Sequence, residues 1–300
     1  MKTYIGIDLG GTNVRVGIVT EDGEVLQQIK SPSYAKEGPE KVMANIKQMV
    51  KQLDGWEKCT AVGVGVPGPC SQQTGSMTMS TNLPGFTGYP IASELSEEFG
   101  MPAFIENDAD VAGLAEALVG DGKGLPVVMY VTISTGIGGC LIVNGKCLSG
   151  KHGYVGEIAN MIVGTSRNKY NHLTPGAVEN EASGTAVSRK GRERLSELNI
   201  QHAGEVFELA AQGNEIAQSI VEEAVNDLAQ MFASIAALAD PDMFILGGGM
   251  MKSADVFLEP MLQRYRMITH EALHDTPFVI AQLEEPGLIG AAMLPKSHGY

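Results

Sequence analysis

A short segment near the N-terminus combines an aspartate, two glycines and a threonine in an order that can bind phosphate. An apolar run ends at this segment, Asp8-Leu9-Gly10-Gly11-Thr12-Asn13, and a second alternating run follows it. Glycine lets the main chain approach a ligand closely, and backbone N–H groups and the Thr12 hydroxyl can donate to phosphate oxygens. Asp8 can hold a hydrated Mg²⁺ beside them. The alternative is a tight hairpin with no ligand, and so short a segment does not decide between the two.

The same arrangement returns in the second half of the chain. An apolar run over 127–133 leads into Ser134-Thr135-Gly136-Ile137-Gly138-Gly139, which we interpret as a second glycine turn before a strand over 140–143. Asn144-Gly145 then gives a strong hairpin signal before a third strand over 146–148. A further glycine turn, Gly247-Gly248-Gly249, follows the apolar run 243–246. The repeat predicts two similar α/β domains facing across a cleft, each with a phosphate-binding turn, whereas the alternative is a chance likeness of glycine-rich hairpins.

A polar cluster, Glu106-Asn107-Asp108, stands where a predicted strand over 102–105 meets a predicted helix over 110–119. Ligands of α/β sheets bind beyond the carboxyl ends of the strands. A carboxylate there can act as a general base on a hydroxyl, which is a poor nucleophile at neutral pH. Asp108 is our candidate, and its alternative role is to cap the helix that follows.

The elements that must position these residues alternate between strand and helix, which predicts parallel or mixed sheets covered on both faces. Residues 80–89 are polar and rich in glycine and proline, so we expect a surface loop there. The other predicted elements are a three-strand meander over 2–32, helices over 39–53, 91–99, 216–238, 257–272 and 286–293, and strands over 61–66 and 277–281.

Composition limits the classes of protein that the chain can belong to. A length of 300 residues suffices for two domains. A net charge of −14 argues against a nucleic-acid partner, and no apolar run is long enough to predict a membrane span. The start of the chain lacks the pattern of a signal peptide, and the four cysteines form no CxxC pair, so we expect reduced thiols and a cytoplasmic protein.

In combination, these segments resemble the sugar kinases of the actin/hexokinase-like ATPase superfamily, and within it the ROK family (repressor, open reading frame, kinase). The segments at Asp8 and at Thr135 resemble the first and second phosphate motifs of that family. The stretch from Asp240-Pro241-Asp242 to the third glycine turn resembles the adenosine-side segment. The block 106–110 is similar to the one that carries the catalytic aspartate, although the family more often has Asn where Asp110 stands.

The resemblance implies a fold and a domain organisation. The expected fold is two actin-like (ribonuclease H-like) α/β domains, a small one over 1–118 and a larger one over 119–286, with a last helix over about 287–300 that packs back on the first domain. The repressors of the family carry an N-terminal helix-turn-helix, and with the first phosphate motif at Asp8 we expect none here. The family commonly forms dimers, so we expect a homodimer.

The resemblance also implies an activity, which is transfer of the γ-phosphoryl group of ATP to the 6-hydroxyl of a hexose with Mg²⁺. Asp108 is then the catalytic base. The residues implied for the sugar are Gly68, Asn82, Asn107, Asp108, Glu157, Asn160 and Glu179, and those implied for ATP are Asp8, Gly10, Gly11, Thr12, Asn13, Thr135, Gly136, Gly138 and Gly248. Glu157 and Glu179 could instead be surface charges.

Asn82-Leu83-Pro84-Gly85 resembles a segment of the family's glucokinases, which makes glucose the leading substrate. Other sugars stay open: fructose, mannose, an N-acetylated hexosamine such as N-acetylmannosamine, allose or a β-glucoside. A different class of protein, a sugar sensor without catalysis, also stays open, although the aspartate and both phosphate turns argue against it.

The chain departs from the family at its zinc site. That site uses a histidine followed by three cysteines, and the corresponding residues here are Asn160, Tyr170, His172 and Ala177. A lone histidine cannot hold tetrahedral zinc, so we predict no structural zinc. The loop over 161–178 must then be braced by packing and hydrogen bonds around Asn160, Asn168, Tyr170 and Asn171.

Overall fold

The computed structural model describes residues 1–164 and 167–300, so two residues of the loop 161–178 lie outside the described part. The strands are β1 Thr3–Leu9, β2 Asn13–Thr20, β3 Val25–Pro32, β4 Val62–Val66, β5 Cys70–Ser71, β6 Ser76–Met77, β7 Ala103–Asn107, β8 Val127–Ile133, β9 Ile137–Val143, β10 Lys146–Cys147, β11 Met243–Gly247 and β12 Phe278–Ile280. The helices are α1 Pro39–Lys51, α2 Ile91–Phe99, α3 Asp108–Val119, α4 Val178–Ala182, α5 Gly184–Arg194, α6 Ala203–Ala211, α7 Glu215–Ala239, α8 Ala254–Ile268 and α9 Pro286–Ser297.

The first sheet has the strand order β3-β2-β1-β4-β7. Its meander is antiparallel, whereas β4 runs parallel to both β1 and β7. All five residues of β4 are buried, as expected of a strand covered on both faces. The register aligns Gly65 of β4 with Asp8 on one side and Glu106 on the other, so the polar ends of β1 and β7 lie at the same edge of the sheet.

The second sheet repeats this order as β10-β9-β8-β11-β12. As in the first sheet, the fourth strand, here β11, has a parallel partner on each side. The antiparallel hairpin of β9 and β10 completes the sheet. The two matching sheets with their helices confirm the predicted α/β class and the predicted repeat.

Helix α9 packs against α3, β1 and β4. The packing is close because the strands carry glycines at the contact: a Cβ on Gly63 would lie 1.8 Å from the Ala291 carbonyl oxygen, and one on Gly6 would lie 2.5 Å from that of Leu288.

The chain divides into two compact units. One consists of Met1–Pro126, Cys140–Val155 and Gln282–Tyr300, and the other of Val127–Gly139 and Gly156–Ala281. That the chain forms two domains with a boundary near residue 118 stays a prediction. Within the described ranges, none of the helices combines the length and apolar character needed to cross a bilayer.

Four local expectations are corrected. The second glycine turn is shorter than predicted, because β9 already begins at Ile137 and includes Gly138. The loop over 80–89 is irregular, but Leu83 and Phe86 are fully buried in the core. Helix α3 begins at Asp108, before the expected residue 110, and α8 ends at Ile268, where the chain passes to a separate 3-10 turn.

Candidate active site

The first glycine turn joins β1 to β2 and is closed by a hydrogen bond from the Gly10 amide to the Asn13 carbonyl, at 2.9 Å. The Thr12 carbonyl accepts a further bond from the Ser33 amide. Gly11 and Thr12 are exposed, so these two residues can approach a phosphate group. A Cβ on Gly11 would lie 3.2 Å from the Asn82 carbonyl oxygen, which places the predicted sugar-binding loop beside the turn.

Asp8 forms an ion pair that the sequence did not reveal. Its Oδ2 accepts from Arg15 Nη1 at 3.0 Å, and Arg15 Nε lies 3.2 Å from Glu285 Oε2, just before α9. Burial raises the pKa of Asp8, and Arg15 opposes that rise. Because Arg15 binds only Oδ2, the other carboxylate oxygen fits the predicted role of accepting a water of hydrated Mg²⁺.

Asp108 is the first residue of α3, and its neighbour Asn107 is the N-cap. The Asn107 Oδ1 accepts from the Ala109 amide at 2.9 Å, and the Asp108 Oδ1 accepts from the same amide at 2.8 Å. Because Asn107 also caps the helix, Asp108 is not needed for capping alone. The Asp108 side chain stays accessible to solvent, as a group that must meet a substrate has to be.

The surroundings of Asp108 favour its protonated form. Although the side chain is accessible, the surrounding protein removes part of its hydration, which raises the pKa of Asp108, and the negative charge of Asp8 raises it further. The adjoining Glu106 is 3 % exposed and accepts from the Asn107 amide and from Gln72, and burial raises its pKa too. A carboxyl group whose pKa is shifted towards neutrality suits acid–base catalysis.

The other predicted sugar-binding residue of this unit, Gly68, follows β4 with a φ of 137°, which favours glycine. Its amide donates to the Val66 carbonyl, and its own carbonyl accepts from Cys70 Sγ. Asn82 is exposed. The first unit thus holds Asp8, the first glycine turn, Gly68, Asn82, Asn107 and Asp108.

The second glycine turn, in the other unit, is held by the start of α5. The Ser134 amide donates to the Gly136 carbonyl at 2.8 Å, and the Gly184 and Thr185 amides donate to the carbonyls of Ser134 and Thr135. The Thr135 side chain remains exposed. The turn therefore keeps a fixed shape while presenting Thr135 to solvent.

Glu179, one of the predicted sugar-binding residues, contacts this turn directly. Its Oε2 accepts from the Ile137 amide at 2.9 Å, and a Cβ on Gly136 would lie only 2.4 Å from the same oxygen. Burial, followed by the charge of Glu179, raises the pKa of Glu157, so the two glutamates lie close together. Asn160 is exposed at the end of a short 3-10 helix that begins one residue after Glu157.

The third glycine turn packs on the second. Gly248 has a φ of 91°, and a Cβ there would lie 2.4 Å from the Ile133 carbonyl oxygen. Both turns line a cavity of about 630 Å³ whose other walls come from α5, from the start of α6 and from the residues after β11. Sequence reasoning missed these other walls, which include Gly184, Ser188, Arg192, His202, Phe207 and Lys252.

The residues at the family's zinc positions do not fit that metal. Asn160, Tyr170 and Ala177 supply neither a thiolate nor an imidazole, which leaves His172 alone. In the part of the chain that the structure describes, no group of three or more His, Cys, Asp or Glu side chains is arranged to hold a metal ion.

Comparison with known proteins shows that this chain is similar to sugar kinases. The model of the ROK family matches residues 4–298. The chain is 31 % identical to a glucokinase of Thermotoga maritima, over 97 % of this chain and 96 % of the relative. It is 26 % identical to an N-acetylmannosamine kinase of Escherichia coli O6:H1, over 96 % of this chain and 97 % of the relative.

Two solved structures give the same picture. The ROK hexokinase of Thermus thermophilus superposes with a TM-score of 0.89 at 30 % identity, over 99 % of this chain and 100 % of that one. The ROK family glucokinase of Streptomyces griseus, solved with glucose and AMPPNP, has a TM-score of 0.76 at 27 % identity, over 97 % of this chain and 98 % of that one. The actin-like α/β fold is thereby confirmed, and the chain belongs to the ROK family.

Proposed function

We propose that this protein is an ATP-dependent hexose kinase that transfers the γ-phosphoryl group to the 6-hydroxyl of glucose. The observation that carries the proposal is the first unit's sheet edge, where Asp108, with a raised pKa, lies near Asp8 of the glycine-rich phosphate turn. A proton acceptor and a phosphate-binding turn at one edge are the two parts that phosphoryl transfer to an alcohol requires. The glucokinase relatives support the same activity.

Asp108 acts as the general base in this proposal. Its carboxylate accepts the proton of the sugar hydroxyl as the oxygen attacks the γ-phosphorus, and ADP leaves. Its hydrogen bond from the Ala109 amide fixes the carboxylate at the start of α3. A positioned base of this kind contributes roughly 10²–10⁴-fold to the rate.

Phosphate and nucleotide bind to the three glycine turns. Gly10, Gly11, Thr12 and Asn13 serve the first turn, Thr135, Gly136 and Gly138 the second, and Gly248 the third. Asp8 would hold hydrated Mg²⁺, which neutralises phosphate charge during the transfer. The cavity of about 630 Å³ lined by Thr135 and Gly249 is large enough for the adenosine moiety.

The residues that we propose for the sugar are mostly polar. Asn107 has its Oδ1 engaged in capping α3, so its amide NH₂ is the group that it offers to a hydroxyl. Glu157 and Glu179 accept from hydroxyls, and Asn160 supplies a donor and an acceptor with a shorter reach than histidine. Gly68 and Asn82 complete the set that we propose for the sugar.

Glucose is the first choice among several sugars. The segment from Asn82 to Gly85 and the glucokinase relatives favour it, whereas the N-acetylmannosamine kinase relatives keep that sugar as the second candidate. Fructose, mannose, allose and a β-glucoside follow. Action in the cytoplasm and as a homodimer belongs to the proposal as well.

A panel of these sugars, each tested with ATP and Mg²⁺ by ADP release, decides among them. We expect the highest kcat/KM with glucose. A higher kcat/KM with another hexose would reassign the substrate and keep the kinase. Measurable sugar binding without ADP release for any sugar would favour a sensor.

A further inference from the structure

The segment over 161–178 connects the residues proposed to bind the sugar, yet it lacks the metal ligands that brace it in the zinc-holding members of the family. It runs from Asn160 to the helix α4 that carries Glu179. Its two ends are joined by hydrogen bonds from the Val163 amide to the Gly176 carbonyl and from the Val178 amide to the Met161 carbonyl. These bonds close the base of the loop and leave its outer part to be held by side chains.

We propose that Arg167 is a positioning residue that replaces the zinc, holding this loop against α4 and α7 so that the sugar-binding glutamates keep their place. The inference rests on the proposed kinase function. Arg167 Nη1 lies 2.8 Å from Glu181 Oε2 on α4, and Nη2 lies 2.9 Å from Asp227 Oδ1 on α7. Nη1 also donates to Asp227 Oδ2 at 3.2 Å. A single guanidinium thus joins three elements.

The buried position of both carboxylates makes this contact strong. The side chains of Glu181 and Asp227 are only 5 % and 2 % exposed, whereas that of Arg167 is 33 % exposed. Burial raises the pKa of Asp227 and Arg167 opposes the rise, so the guanidinium favours the charged form of this buried carboxyl group. Without the guanidinium, the two buried carboxylates would have only the Lys190 ammonium, 3.7 Å from Glu181, to oppose their charge, which is destabilising.

The backbone is shaped to admit the guanidinium. A Cβ on Gly164 would lie 2.8 Å from Arg167 Nε, so any larger residue there would press on the side chain. A planar, bidentate group is needed because the carboxylate of Asp227 is bound through both of its oxygens, which an ammonium group does not reproduce.

A second anchor lies further along the same loop. Asn180 on α4 accepts from Asn171 Nδ2 at 3.0 Å and donates to the Tyr170 carbonyl at 3.1 Å. Arg189 stacks on the Tyr170 ring at 3.6 Å and donates to the Asn180 carbonyl. Tyr170 and Asn171 were among the residues expected to brace the loop, whereas Arg167 was not.

The mechanical consequence concerns Glu179. Glu181 lies two residues after Glu179 on α4, a helix of five residues. We therefore expect a shift of Glu181 to move Glu179 as well. Glu179 in turn lies close enough to Glu157 to raise the pKa of that group. Loosening the Arg167 contact should therefore weaken sugar binding before it affects the nucleotide cavity.

The test compares Arg167→Lys with Arg264→Lys. Arg264 also pairs with a carboxylate on α7, at 3.8 Å to Glu222, but it lies on α8 outside the loop. We expect Arg167→Lys to raise KM for the sugar about tenfold, the low end of the effect of residues that support a site. KM for ATP should rise less, because Glu179 also holds the Ile137 amide, and kcat should change little. Asp227→Asn, which keeps the shape of its side chain, should act in the same direction. Wild-type KM for the sugar in both variants, or an equal change in Arg264→Lys, would overturn the proposal.

Hydrogen exchange tests the brace without relying on turnover. We expect Arg167→Lys to speed amide exchange over 167–178 several-fold, while Arg264→Lys and treatment of the wild type with a chelator leave it unchanged. Unchanged amide exchange in Arg167→Lys would overturn the proposal that Arg167 holds the loop. If the wild type phosphorylates no sugar, the kinase proposal fails alone, because the exchange experiment still decides the role of Arg167.

Discussion

Asp8 and Asp108 lie at the carboxyl ends of strands on either side of β4, and the charge of Asp8 acts on the carboxyl group of Asp108. Burial raises the pKa of Asp108, and Asp8 adds to the rise. The relationship links the proposed metal-binding aspartate of the first phosphate turn to the proposed base. It also has a measurable consequence for the pH profile of the enzyme.

On the acid side of its pH profile, kcat/KM should fall with a midpoint (the acid limb) above the ordinary pKa of an aspartate, about 3.9. The base must be ionised to accept a proton, so activity is lost as the pH falls through the raised pKa of Asp108. In Asp8→Asn the repulsion disappears, and we expect the acid limb to move to lower pH even though the rate also falls. An acid limb that stays in place in Asp8→Asn would contradict this coupling.

Asp108→Asn should lower kcat by about 10²–10⁴-fold, the contribution of a general base, and leave the Kd for the sugar within about threefold, since an amide keeps the hydrogen-bonding shape. Calorimetric titration with the sugar and an ADP-release assay measure the two quantities. Asp22→Asn, at an exposed turn residue, is the matched control. Turnover retained in Asp108→Asn, or loss of sugar binding together with turnover, would remove Asp108 from the role of base.

The melting temperature of Asp108→Asn provides a check on its folding. The fold raises the pKa of this carboxyl, so it disfavours the ionised form, and the charge opposes folding at pH values above the raised pKa. Asparagine removes that charge and keeps an acceptor for the Ala109 amide, so at pH 7 we expect a melting temperature no lower than that of the wild type. A clear fall would mean that the carboxylate has a structural role.

Two substitutions of Glu179 should distinguish its role in sugar binding from its role beside the second phosphate turn. Glu179→Gln keeps an acceptor for the Ile137 amide, so we expect a higher KM for the sugar with little change for ATP. Glu179→Ala also frees the Ile137 amide beside the second phosphate turn, so KM for both substrates should rise. Steady-state kinetics with each substrate varied in turn measure the difference, and an unchanged KM for ATP in Glu179→Ala would argue against the link.

Much of the fold could be predicted because it depends on local patterns. The buried run of β4, the hairpin at Asn144-Gly145 and the proline that opens α1 each specify an element through nearby residues. The boundaries were less certain. The turn before β9 was predicted too long because Gly138 suggests a turn, whereas sheet pairing extends the strand through it.

The site was predictable only in part for a different reason. Asp108 and the glycine turns stand in recognisable local motifs, and Arg15 is the cross-strand neighbour of Asp8 in the β1–β2 hairpin. The partners of Glu285 and of Asp227 have no such local mark. Arg15 joins Glu285, and Arg167 joins Asp227, only through the tertiary fold. No period or spacing in the chain marks such pairs, so they become visible only when the fold brings them together.

Metal content tests the prediction about zinc. We expect the purified protein, after dialysis, to contain far less than one zinc per chain by elemental analysis. A chelator should inhibit only by removing Mg²⁺, so excess Mg²⁺ should restore full activity. About one tightly bound zinc per chain, or activity that returns only with zinc, would overturn the prediction.

Transfer of phosphate from ATP to a hexose 6-hydroxyl, with Asp108 as base, can be followed through its product. The product formed from glucose, ATP and Mg²⁺ is detected by phosphorus NMR and by a dehydrogenase specific for glucose 6-phosphate. We predict stoichiometric glucose 6-phosphate and ADP from the wild type and almost none from Asp108→Asn. No phosphorylated sugar from glucose or any other hexose, from a wild-type protein that binds the sugar, would contradict the proposed kinase activity.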